Sequence, residues 1–389
     1  MEWITENYVN FASIIDDATL AQNRMTSSMP FVYPHFASMP DAHLGLGCAV
    51  GSVLPTLGAI IPAAVGVDIG CGMVAVRTDH TAGGIGRLDR RTLRQSIERA
   101  VPLSAGNNNK RVRSTAQPRI TTLEQDARSA GFDPSSYVKD WRLQLGTLGS
   151  GNHFIEVSLD EEDNVWLFLH SGSRGIGNRI AQRHIRAAQD HCARRSIPLP
   201  HQDLAYLEEG TPEFDRYIGE LLWAQKFALL NREEMMDRVV GQFTHWVGKP
   251  VQELERINCH HNYTHRETHF GKDVWLSRKG AIAADPGRPG LIPGSMGTRS
   301  YVVTGKGNRE AMSSAPHGAG REYSRNAARK TFTQDQLRAA MRGIEYRDTP
   351  AFLDEIPAAY KDIDVVMQDA RDLVDVRHTL RQIINVKGD

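Results

Sequence analysis

The segment GVDIGCGM, residues 66–73, sets a carboxylate, Asp68, and a thiol, Cys71, three positions apart among Gly66, Gly70 and Gly72. Histidines recur beside glycine, serine or asparagine in other segments. They are His43 in DAHLGLG, His153 in GSGNHFIE, His170 in LHSGSRG, His260, His261, His265 and His269 in CHHNYTHRETH, and His317 in PHGAGR. A histidine alone is ordinarily a surface or hydrogen-bonded residue, and a buried cysteine ordinarily a small apolar one. The set is more informative, because polar residues at strand ends beside chain-reversing glycines are how a site is assembled from distant segments. Asp, Cys and several His make a mixed hard and soft ligand set. It suits zinc, manganese, iron or cobalt better than calcium or magnesium. Cysteine would bind as thiolate, deprotonated by the ion. Neither HExxH nor CxxC occurs, so no local motif chooses the metal.

A second chemistry accompanies the first. HSGSRGIGNR places a Gly-Ser-Arg-Gly turn before a predicted helix, where backbone N–H groups can cradle a phosphate and Arg174 can clamp it. IPGSMGTRS and HGAGR repeat the theme with small residues and a nearby arginine. Each alone is an ordinary turn, and none is a Walker motif or a dinucleotide fingerprint. Lys110, Arg111, Arg113 and Arg119 lie in NNNKRVRSTAQPR, which reads first as a solvated loop and second as a phosphate-tracking one.

These residues need a scaffold. CAVGSVLPTLGAIIPAAVGVDIG reads as short strands and turns, and GNHFIEVSLD and VWLFLHSG as buried strands. RTLRQSIERAV and NRIAQRHIRAAQDHCARR have helical spacing. Thr211 is placed to cap a further helix with Pro212 at its first position. Glycine-rich segments flank this helical insert, about residues 177–245, so we expect a single mixed α/β (α+β) domain over residues 1–389. Its central β-sheets would be flanked by helices. A chain of 389 residues buries a core without disulfides, and Cys48, Cys71, Cys192 and Cys259 form no paired framework. That points to a reducing, cytoplasmic setting. The amino-terminal segment has neither a basic start nor a long apolar core, so no signal peptide is expected. No stretch reaches the roughly 20 apolar residues of a membrane span. Lysine plus arginine balance aspartate plus glutamate, 46 against 46, so net charge makes no case for nucleic acid.

Taken in order, DAHLGLG, GVDIGCGM, GSGNHFIE, HSGSRGIGN, CHHNY, RKGA, PGSMG, HGAGR, AYKDID and the terminal VKG resemble the RtcB family from about Met29 to Gly388. The likeness is to its bacterial branch. The family is one of GTP-dependent RNA ligases that join a 3′-phosphate or 2′,3′-cyclic phosphate to a 5′-hydroxyl end. The resemblance implies two manganese ions held by Asp68, Cys71, His153, His170 and His261, with Asp68 able to bridge the two. It implies His317 as the nucleophile that carries GMP. Nucleotide contacts would fall on Asn152, His153, Phe154, Ile155 and Glu156, on His261 and Asn262, and on Pro293, Gly294, Ser295 and Met296. They continue through Ser300, His317, Gly318, Ala319, Gly320, Tyr360 and Lys387. Glu156 can accept from guanine N–H groups and Lys387 can donate to a guanine acceptor, which distinguishes GTP from ATP. Arg174 and Arg321 would hold RNA or nucleotide phosphate. A monomer acting on RNA ends is expected, and the resemblance admits an activating partner such as archease.

Two departures stand out. DAH replaces the Asp-Val-His common in the family, and Pro316 precedes His317. Proline fixes φ and removes an N–H, so the nucleophile's loop is expected to be reshaped. A phosphoesterase that only opens cyclic phosphates would need the metal ligands but neither His317 nor Lys387. A module that merely caps RNA ends would not need five converging ligands.

Overall fold

The computed structural model describes residues 1–389 and is an α+β fold built on two sheets. The first sheet runs in the order Glu2–Thr5, Tyr8–Asn10, Phe36–His43, Val50–Thr56, Lys272–Lys279, Asn262–His269. The second runs Glu253–His260, Gly72–Thr81, Asn164–Ser171, Phe154–Leu159, Val374–Val386, Ser300–Gly305, Pro289–Pro293. Its neighbours are antiparallel throughout. The sheets share a corner. Glu253–His260 ends the second sheet, Asn262–His269 ends the first, and His261 is the residue between them.

Strand periodicity decides what faces that corner. Side chains of a strand alternate between faces. In Gly72–Thr81, Met73 and Ala75 enter the core between the sheets, while Val74 and Val76 enter the core under the helices. In Asn164–Ser171, Trp166 and Phe168 take the first face and Val165, Leu167 and Leu169 the second. Continuing each alternation puts Cys71, His170, Phe154, Glu156, Asn385 and Lys387 on the inter-sheet side, at the strand ends. Ile155, Val157 and Val386 face the helices.

The helices buttress the second sheet. Thr211 caps the Pro212–Val247 helix by accepting from Phe214 N at 3.3 Å, and Gly248 ends it at φ 70°. Asp89 caps Arg90–Ala100 through the Arg91 and Thr92 amides. Met235, Met236, Val239 and Phe243 of the long helix pack on the sheet beside Leu93 and Ile97. Its Arg232 is fully buried and donates to Gly70 O at 2.7 Å and Ser171 O at 3.1 Å, tying the helix to the turns that carry Asp68, Cys71 and His170. The basic run differs from a free loop. Asn109 is buried and donates to Leu143 O and Leu145 O, both at 2.8 Å, and a helix starts at Gln117. Arg119 pairs with Glu234 and Asp237, while Lys110, Arg111 and Arg113 remain exposed. The run is anchored because Asn109 and the apolar Ala116 and Ile120 hold it to the body.

Candidate metal and nucleotide site

At the corner the ligand atoms converge in two groups, Cys71 with His170 and His261, and Asp68 with Cys71 and His153. Cys71 Sγ lies 3.2 Å from His170 Nε2 and 3.5 Å from His153 Nε2. His170 Nε2 lies 2.8 Å from His261 Nε2, and His153 Nε2 lies 3.0 Å from Asp68 Oδ2. Glycines permit the approach. A Cβ on Gly172 would stand 2.2 Å from Asp68 Oδ1, and one on Gly72 would stand 2.1 Å from Cys259 O.

The histidine tautomers follow from their outer partners. His153 Nδ1 donates to Leu148 O at 2.8 Å, His170 Nδ1 to Asn152 O at 3.1 Å, and His261 Nδ1 to Asn262 Oδ1 at 3.2 Å. Each ring therefore turns a lone pair, not a proton, toward the cluster. Two imidazole lone pairs 2.8 Å apart repel unless a cation lies between them, so the donor set fits a metal. Electrostatics agree. Burial, then neighbouring imidazoles, pushes His170 and His261 well below the ordinary histidine range, so both are neutral ligands. Burial and the Asp68 carboxylate push the Cys71 thiol up, so deprotonating it requires a cation. Burial alone would raise the Asp68 carboxyl, and the nearby Arg174 guanidinium draws it down.

The residue common to both groups is Cys71, while Asp68, which the resemblance allows as a bridge, falls in one of them. The reason is local. Asp68 Oδ1 already accepts from Ser173 N at 2.9 Å and Ser173 Oγ at 3.3 Å, leaving Oδ2 toward the cluster.

His317 adjoins this centre, its ring centroid 4.5 Å from that of His261. Its Nδ1 donates to Asp41 Oδ2 at 2.6 Å, so Nε2 carries the lone pair. The same oxygen accepts from His317 N at 3.0 Å and Gly318 N at 3.2 Å. Asp41 is fully buried. Pro316 ends the short ladder Ser314–Pro316 opposite Ala281.

A cavity of about 330 Å³ opens beside His317 and the cluster. Phe154, Glu156, Asn385, Lys387 and Tyr360 line it, with Asn152, Asn262 and the turns Pro293–Met296 and Gly318–Gly320. Glu156 Oε1 accepts from Asn385 Nδ2 at 3.2 Å, while Glu156 Oε2 and Asn385 Oδ1 are buried without partners. Burial raises the Glu156 carboxyl to about 8, against the pull of Lys387 and Asn385. Lys387 Nζ donates to Glu355 Oε2 at 3.3 Å, and Tyr360 OH to the same oxygen at 2.7 Å. Ile155 turns to the opposite face of its strand, and Ser300 sits behind the Pro293–Met296 turn, opposite Pro293 in the ladder. Neither side chain lines the cavity.

The chain matches, over residues 22–388, the profile of the family described as tRNA-splicing ligase RtcB. It belongs to the RtcB family. It is 48% identical over 378 residues to the RNA-splicing ligase RtcB of Escherichia coli (strain K12), covering 93% of this chain and 92% of that one. It is 31% identical over 427 positions to the tRNA-splicing ligase RtcB of Thermococcus kodakarensis, covering 90% and 87%. It is 30% identical over 414 positions to the RNA-splicing ligase RtcB of Mycobacterium tuberculosis, covering 88% and 94%. No helix of this RtcB-family chain is long and apolar enough to cross a membrane.

The arginines assigned to RNA from sequence are both engaged within the fold. Arg174 Nε donates to Thr147 Oγ1 at 3.2 Å. Arg321 donates to Tyr360 OH at 2.8 Å and Asp354 O at 2.7 Å. Asp41, Glu355, Arg325 and Asn385 are site residues that the sequence reading did not single out. Asp41 stands within the quoted DAHLGLG motif, which was the available signal. Glu355 and Arg325, paired at 2.5 Å, had none.

Proposed function

We propose that this protein is an RNA ligase of splicing or repair that uses GTP and manganese. It would join a 3′-phosphate or 2′,3′-cyclic phosphate end to a 5′-hydroxyl end through a histidine–GMP intermediate. The observation that carries the reading is the His317–Asp41 pair, which aims one imidazole lone pair at a cavity bordered by the metal-ligand cluster. Two manganese ions would be held by the two ligand groups with Cys71 in common, supplying Lewis-acid stabilisation of phosphoryl charge.

His317 Nε2 forms a bond to the α-phosphorus of GTP, and pyrophosphate leaves with the electrons of the broken P–O bond. Covalent catalysis of this kind divides one hard step into easier ones. Asp41 keeps the proton on Nδ1 and steadies the positive charge that grows on the ring. An oxygen of the RNA 3′-phosphate then attacks the GMP phosphorus, the P–N bond breaks to free His317, and the resulting RNA–pp–G phosphoanhydride carries GMP as a good leaving group. The 5′-hydroxyl attacks, and GMP departs. A cyclic end is hydrolysed to the 3′-phosphate first. Glu156 offers an unpartnered oxygen to guanine N–H groups, and Lys387 offers a cation to a guanine acceptor. We place the enzyme in the cytoplasm as a monomer, consistent with four free cysteines.

Incubation with labelled GTP and manganese tests this reading. The ligase acquires covalent, acid-labile GMP, and His317→Ala abolishes the adduct while leaving the fold intact. A phosphoesterase or an end-capping module acquires none, and an adduct of undiminished yield in His317→Ala refutes the assignment.

A further inference from the structure

The proposed ligase must hold RNA beyond its reacting end, and any surface assigned to that RNA rests on the ligase reading. Arg174 lies beside the ligand cluster and Arg321 lines the cavity, so both sit at the reacting end and the strand beyond it needs other cations. The Arg174–Arg194 helix supplies them. Its amino end is fixed to the cluster, where Ser173 N donates to Asp68. Its exposed side carries Arg179, Arg183 and Arg186 at intervals of four and three, which places them on one face. A concavity of about 520 Å³ lies against them, bordered also by Ser136, Tyr137 and Gln182.

These side chains are ordered without being neutralised. Arg179 Nη1 donates to Tyr137 O at 2.8 Å, and the Arg183 guanidinium lies over the Tyr137 ring at 5.3 Å from its centroid. Glu220 is the carboxylate beneath Arg183, and it already accepts from His184 at 2.6 Å and from Tyr137. A chain of balanced charge, 46 against 46, thus leaves a cationic face on the helix that starts at its metal ligands. From Arg179 to Arg186 the helix rises about 10 Å, close to three steps of about 3.4 Å in a stacked strand.

We infer that Arg179, Arg183 and Arg186 form a track for the RNA phosphate backbone, running outward from the metal-ligand cluster. The contacts are electrostatic and independent of base sequence.

The test replaces all three with glutamine and, separately, with lysine. Binding of a 20-nucleotide RNA bearing a 3′-phosphate is followed by anisotropy across a salt series. Each phosphate contact contributes about 0.7 to the salt slope of a single strand, so three contribute about 2. The glutamine variant should lose that slope and bind about fiftyfold more weakly at 0.15 M salt. The lysine variant should keep most of both. Formation of the GMP adduct, which uses no RNA, should be unchanged in both. Unaltered affinity and slope in the glutamine variant overturn the track, as does a lysine variant no better than it. A parent protein that forms no GMP adduct overturns instead the reading beneath.

Discussion

Asp41→Asn isolates the role of charge behind the proposed nucleophile. Asp41 Oδ2 receives N–H groups from the His317 ring, the His317 backbone and Gly318, so the amide oxygen of asparagine must occupy that place. The tautomer of His317 is then preserved and only the negative charge is lost. The new NH₂ group takes the position of Oδ1, which is buried without a partner, and costs about 1–3 kcal/mol of stability. The chemical effect is larger. Taking about 4 Å between charge centres and an effective dielectric of about 20, a full positive charge on the ring gains about 4 kcal/mol from the aspartate. With half that charge developed in the transition state, the loss is about 2 kcal/mol, or about thirtyfold in rate. The adduct itself, bearing the full charge, loses about a thousandfold in equilibrium yield. Asp41 does not line the cavity, so GTP affinity should hold. Rapid-quench measurement of labelled GMP incorporation gives the rate, and nucleotide titration gives the affinity. A rate within threefold of the parent, or a parallel loss of GTP affinity, would show that the carboxylate is a structural clasp and nothing more.

Glu156 predicts a pH effect. Its folded value of about 8 exceeds its ordinary 4.5, so the folded state holds the extra proton, and stability falls as pH rises between those values. The slope approaches about 1.4 kcal/mol per pH unit, and Glu156→Gln should remove it in denaturant titrations at pH 5.5 and 7.5. Because guanine needs the ionised acceptor, GTP affinity should climb about tenfold per unit up to pH 8 in the parent. A flat profile from pH 6 to 8 counts against that contact. Gly172→Ala tests the packing of the ligand cluster. The new Cβ meets Asp68 oxygens at 2.2 and 2.3 Å, so manganese retained after gel filtration should drop by at least one ion per chain. Full metal content in that variant contradicts the close approach.

The buried strands beside His153 and carrying His170 were legible, because a short apolar run is a property of consecutive residues. The Thr211–Pro212 helix start was legible for the same reason, since a cap and its first turn are local. The membership of the two ligand groups was not. Whether Asp68 or Cys71 is shared depends on a Ser173 amide 105 positions away, which occupies one carboxylate oxygen. Asp41 sat in a recognised motif, yet its partner lies 276 residues further on, and no spacing rule links them. Asn109 made a polar run look free of the body, although its side chain satisfies two buried carbonyls. Arg321 lines the cavity, and its contacts with Tyr360 and Asp354 O, which fix the guanidinium there, could not be read from its charge.

The corner where the sheets meet explains why the candidate metal ligands and the proposed nucleophile belong to one unit. His261 is the residue at which the chain leaves one sheet for the other, and its carbonyl accepts from Gly280 N at 2.8 Å and Ala281 N at 3.1 Å. Ala281 in turn pairs with Pro316, the residue before His317. One backbone path therefore sets both the ring that faces Cys71 and the ring that faces the cavity. The buried groups at the corner are also chosen for a cation over a proton. Imidazoles held neutral bind metal without first releasing a proton, whereas the raised Cys71 thiol must release one. Loading the site therefore costs little in histidine deprotonation and concentrates its pH dependence in a single sulfur. That sulfur is the atom common to both candidate ligand groups, so in the proposed two-ion site its ionisation would couple the occupancy of one to the other.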